Sequence, residues 1–151
     1  MKRIILALSA ILVGSIITGT SAFAGQATDA LIACMTDNTT GKDRKDMARW
    51  IFVGMSVHPG IQSLSNVTEM DREEYDRKLA NIVTRLLAEN CKAQTKDALE
   101  KEADEVPLKA AFSVMGQLAM QEVMNDPKVQ SAFSGFAKYL DLGKFKSFDI
   151  E

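Results

Sequence analysis

Few side chains in this sequence have chemical reach: a single histidine, His58, two cysteines, Cys34 and Cys91, and a surplus of carboxylates. His58 with Ser56 or Ser63 would supply the base and nucleophile of a hydrolase, but no nucleophile-elbow motif surrounds either serine. At the end of a helical pattern, His58 equally suits a polar contact or the negative end of the helix dipole. A Cys–His nucleophile needs a free thiolate, and both cysteines have a better use as a pair. One His and two Cys cannot complete a zinc site that requires four Cys, or two Cys with two His. The carboxylates Glu73, Glu74, Glu100, Glu102 and Asp104 lie in charged stretches, where solvation is the cheaper explanation, with no apolar pocket to raise an acid's pKa.

The segment Thr39-Thr40-Gly41-Lys42, followed by Arg44, is similar to a phosphate loop in composition only. The G-x-x-x-x-G-K-[ST] spacing and the preceding strand are missing. A helix N-terminus there could still hold an anion. Asp37, Asn38 and Asp43 miss the EF-hand spacing. Met115, Met120 and Met124 could bind a soft metal, but among Phe112, Leu118 and Val123 they read as core filling. Asn38 and Asn66 open glycosylation sequons, relevant only in a eukaryotic host. No catalytic set is complete, and neither a metal nor a cofactor is expected.

The elements that position these residues begin with an address. Lys2 and Arg3, the apolar run Ile4–Ile17 and Ala22-Phe23-Ala24 form the three parts of a secretory signal peptide, cleaved after Ala24. The apolar part ends at Thr18, too early to span a bilayer. Leu31-Ile32-Ala33-Cys34 makes lipidation at Cys34 a minor alternative to cleavage after Ala24. Cleavage leaves Gly25–Glu151 as a single helical domain and moves the net charge from −2 to −4, through loss of Lys2 and Arg3. In an oxidising compartment the two thiols, Cys34 and Cys91, are expected to form one disulfide. The overall composition, 46% hydrophobic and 25% charged, is that of an ordinary globular chain. With no block of Lys and Arg, a nucleic-acid partner is not expected.

Periodicity predicts an all-α bundle of about five helices. The first covers Asp29–Met35 with Thr28 as its cap. The second starts near Lys42, with Thr40 and Asp43 close to a capping box, and is stopped by Pro59. Its Trp50, Ile51, Gly54 and His58 share the face of Met47. The third runs from Thr68 to about Asn90 with the stripe Tyr75, Leu79, Ile82, Val83 and Leu86. Lys92–Glu105 is a charged helical connector. The fourth begins around Pro107 and is apolar nearly all round, apart from Lys109, Ser113, Gln117 and Gln121, so a central position is expected. The fifth follows Asn125-Asp126-Pro127 and carries the apolar face Val129, Ala132, Phe133, Phe136, Ala137 and Leu140. Phe145, Phe148 and Ile150 are expected to fold back, or else to form a patch for a partner.

The stretch from Asp37 to Pro59, DNTTGKDRKDMARWIFVGMSVHP, resembles a family of small exported, periplasmic bacterial proteins to which no activity is assigned. The likeness covers residues 37–59 alone. It implies a Gram-negative periplasmic setting and carries no site residues over.

These readings together lead to a non-enzymatic periplasmic or secreted protein that binds another envelope protein, in an accessory or inhibitor-type role. The alternative is a carrier of a small hydrophobic ligand or lipid. The candidate partner-binding surface is the second helix, where Asp43, Arg44, Arg49, Trp50 and His58 combine charge with aromatic area. Trp50 also fits a core position on the Met47 face.

Overall fold

The protein is described by a computed structural model over residues 25–102 and 105–145. The leader, Asp104 and the tail residues Phe148 and Ile150 lie outside the described residues. The fold is all-α: α1 (Gln26–Asp37), α2 (Gly41–Met55), α3 (Glu69–Thr84), α4 (Lys92–Lys101), α5 (Val106–Met124) and α6 (Pro127–Ser134). Three 3-10 turns, Gln62–Leu64, Gly135–Tyr139 and Leu142–Phe145, complete it. The charged connector is itself a packed helix, α4, which brings the number among the described residues to six.

Helices α2 and α3 start where their sequences dictate. The Thr40 hydroxyl accepts from the Asp43 N–H while the Asp43 carboxylate accepts from the Thr40 N–H, at 3.2 and 2.8 Å. Thr68 and Asp71 repeat the arrangement at the same two distances. Each box satisfies backbone donors that the first helical turn leaves open.

α3 does not stop at Thr84. It continues as a π-turn over Arg85–Asn90, in which the Cys91 N–H donates to the Leu86 carbonyl at 2.8 Å. The wider turn has a structural use. Ile82 and Leu86 lie on the buried line, and the next residues in α register, Glu89 and Asn90, are exposed. One extra residue brings Cys91 onto that line, fully buried. There it forms the expected disulfide with Cys34. A bridged Cys34 has no thiol to acylate.

The core is narrow. Ala27, Leu31 and Met35 of α1 meet Met47 and Ala48 of α2, Ile82 of α3, Leu86 of the π-turn, Ala98 of α4, and Ala111, Met115 and Ala119 of α5. α1 packs against α4, α5 and the π-turn, while α2 lies between α3 and α5. α5 packs against α1, α2 and α6, as a central helix should, but only one line of it is buried. Its buried line is Pro107, Ala111, Met115 and Ala119, while Phe112, Met120 and Met124 stay open on its outer side.

α1 begins three residues earlier than expected, at Gln26 with Gly25 as its cap. Thr28 is not a cap but a fully buried residue of the first turn. The cap function comes from Glu102, 74 residues away from Thr28 in sequence. Its carboxylate accepts from the N–H groups of Ala27 and Thr28 at 2.9 and 3.0 Å and from the Thr28 hydroxyl. A Cβ at residue 25 would run into that carboxylate, so the close approach favours glycine.

The Thr28 hydroxyl and the backbone N–H groups hold the Glu102 carboxyl below its usual range, against the opposing effect of its surroundings. A depressed carboxylate contributes stability above its unfolded-state pKa and loses it as pH falls through the folded value. Glu102→Gln is expected to lower stability at neutral pH and to flatten the acid limb below about pH 4. Urea midpoints measured across that range test this. An acid limb as steep as that of the wild type would be the contrary result.

Candidate functional site

The five residues of the candidate surface are spread along α2 and beyond it. Asp43 is in the first turn and His58 lies three residues after the last helical residue, Met55. At 1.5 Å per residue the two ends are roughly 20 Å apart.

Most of these residues hold the bundle together. The Asp43 carboxylate is largely covered and takes the Arg85 guanidinium at 2.8 Å as well as its Thr40 bonds. Arg85 also donates to the Asn38 carbonyl at 3.2 Å, so it fastens the α1–α2 turn to the end of α3. Burial pushes the Asp43 carboxyl up, but the Thr40 bonds and the Arg85 charge outweigh it and leave it below its usual value. Arg44 ties α2 to α5 through Glu122 at 3.1 Å, with Lys45 adding a contact to the same carboxylate at 3.6 Å.

Trp50 is not a core residue on the Met47 face. It is 36% exposed and its indole N–H donates to Asp76 at 2.8 Å. A large ring with an N–H donor settles where one edge can reach a polar partner, here on the rim of α3. His58 is outside the helix, exposed, with Nδ1 accepting from the Gly60 N–H at 3.1 Å. The Ser56 hydroxyl donates to the Val53 carbonyl at 2.7 Å and is buried. Among the described residues, no three His, Cys, Asp or Glu converge as a metal-binding group.

Arg49 is the exception. Its side chain is half open and donates to Asp46 at 2.9 Å. Asp46 is buried and is shared with Lys42 at 2.6 Å. The Lys42 bond, together with that of Arg49, keeps the Asp46 carboxyl low despite burial. This leaves Arg49 anchored yet at the surface, beside Phe52, which is 55% exposed.

Phe52 is the residue that the sequence reading missed. It stands between two depressions. One is an apolar groove of about 350 Å³ between α2 and α5, lined by Ala48, Ile51, Met55, Met120 and Val123, with Lys45 and Arg49 at its edge. The other is a more polar cleft of about 400 Å³ toward α3, where Leu64, Asn66 and Tyr75 face Arg49 and Val53. A helical projection held the signal: Lys45, Arg49 and Phe52, at i, i+4 and i+7, share one face. An aromatic flanked by two cations on a helix is placed for contact with something other than its own core.

Comparison with protein-family models, with curated proteins and with solved structures finds no match to this chain.

Proposed function

We propose that the protein acts by binding and not by catalysis, as a periplasmic or secreted accessory to another envelope protein. The observation that carries the reading is the ridge of Phe52 and Arg49 beside the α2–α5 groove. An apolar trough with cations at its rim fits an amphipathic segment that presents apolar side chains inward and acidic ones at its edge. Export is supported by the pattern of residues 1–24 and by the Cys34–Cys91 bridge, a feature of oxidising compartments.

A second reading has an observation of its own. The groove is open and mostly apolar, and about 350 Å³ lies within the range of small-ligand sites. A small hydrophobic ligand or lipid would occupy the same trough.

Affinity recovery from intact envelopes, using the exported protein as bait, tests the proposal. Phe52→Asp with Arg49→Glu is expected to reduce recovery of the partner at least tenfold, since aromatic and Arg anchors commonly contribute about 2 kcal/mol or more each. Both side chains are at the surface, so helix content should be unchanged. Equal recovery by wild type and variant would overturn the reading. A small molecule retained in native mass spectrometry, with no protein recovered, would favour the carrier.

A further inference from the structure

We propose that removal of the leader switches on an ion pair: the α-ammonium created at Gly25 is captured by the Glu102 carboxylate, which clamps the start of α1 to the end of α4. The inference rests on the reading that the chain is exported and cleaved after Ala24.

The receiving group is already in place. Glu102 directly follows α4 and is half-buried. One of its oxygens accepts from the Ala27 and Thr28 N–H groups at 2.9 and 3.0 Å, the other from the Thr28 hydroxyl. A carboxylate offers about four acceptor positions, so a fourth donor can be taken. Gly25 supplies it. The carboxylate lies so close to its backbone that a Cβ at residue 25 would collide with both oxygens. After the Thr28 hydroxyl, the N–H groups of Thr28, Ala27 and Gly25 add to the pull that holds the Glu102 carboxyl below its usual range.

Hydrolysis of the Ala24–Gly25 bond consumes one water and leaves a carboxylate on Ala24 and an amine on Gly25. That amine takes up a proton at neutral pH. The nitrogen need not move: a neutral donor with one hydrogen becomes a cation with three, beside an anion. Charge-assisted bonds of this kind are roughly twice as strong as neutral ones. The pair also answers a local problem, because a free ammonium at a helix N-terminus faces the positive end of the dipole. Other charges nearby are placed elsewhere. Asp29, in the first turn of α1, is exposed, and Lys101, which shares a cleft with Glu102, is bonded to Asp97 at 2.7 Å. The leader-bearing chain has the carboxylate and the glycine but not the charge, so the clamp tightens only on processing.

An NMR titration of isotope-labelled protein recovered from the periplasm tests this, with its first residue read by N-terminal sequencing. The Gly25 Cα signal is expected to titrate with a midpoint above the ordinary α-amino range of about 7.7–8.0. It should also show a second step below about pH 4, where Glu102 protonates. Both features should persist in Asp29→Asn. Glu102→Gln should return the first midpoint to the ordinary range and abolish the acid step. An ordinary midpoint in the wild type would overturn the proposal, as would a missing acid step, or a raised midpoint that survives Glu102→Gln or vanishes in Asp29→Asn. The acid step is read on the wild type, so the outcome does not depend on the stability of the Glu102 variant. A recovered chain that begins elsewhere would overturn the cleavage reading and this proposal with it. One that begins at Gly25 with an ordinary amine would overturn this proposal alone.

Discussion

Replacing both cysteines, as Cys34→Ala with Cys91→Ala, is expected to lower the melting temperature by roughly 15 °C. The bridge joins residues 57 positions apart. Releasing a loop of that length returns about 4 kcal/mol of conformational freedom to the unfolded chain. For a domain of this size each kcal/mol corresponds to about 4 °C. The position of the bridge adds to the effect. It ties the inner helix α1 to the turn that ends α3, where Cys91 is fully buried and the wider π-turn exists to bring it inward. Calorimetry of the oxidised wild type against the double variant measures the shift. A change of only a few degrees would mean that the packing of Leu31, Met35 and Leu86 holds α1 in place without the covalent link.

The second large effect is expected at Leu31. Leu31→Ala should cost about 3–4 kcal/mol, the usual range for a wholly buried leucine whose surroundings cannot collapse into the space. Leu31 is fully buried in the middle of α1, the helix that packs on α4, α5 and the π-turn, so the cavity would open between several elements. Leu64→Ala provides the contrast. Leu64 is 83% exposed, and its loss should change stability by only about 0.5 kcal/mol or less. Denaturant midpoints with unchanged slopes measure both. Similar losses at the two sites would contradict the burial pattern.

Much of the secondary structure can be read directly from the chain, because the relevant interactions act over a few residues. Thr40 with Asp43 and Thr68 with Asp71 close their capping boxes within one helical turn. Pro59 bars helix before it. Pro107 and Pro127 sit in the first turns of α5 and α6, where a missing N–H costs nothing. The stripe from Tyr75 to Leu86 follows helical period, and each of the two cysteines has only the other as a disulfide partner within the chain. These features called for an all-α, singly bridged bundle, and the fold has that form.

The candidate site was legible only in part. Arg49 and Trp50 are at the surface of α2 as the candidate surface requires, but Asp43 and Arg44 are occupied by Arg85 and Glu122 from other helices. Nothing within a window of a few residues announces those partners. The same holds for Glu102, whose charged neighbourhood reads as solvated and whose carboxylate caps a helix at the other end of the chain.

The sequence alone determined the helical class, the starts of α2, α3, α5 and α6 and the pairing of the two cysteines, because backbone capping, period and covalent chemistry are local or exclusive. Only the tertiary structure decided which apolar faces are covered. α1 is enclosed, α5 is open on its outer side, and the face from Phe133 to Leu140 is left bare, although α5 is more apolar in sequence than α1. Hydrophobic burial has no direction of its own. A face is buried when another element reaches it, and that depends on loop lengths and on contacts between residues far apart in the chain.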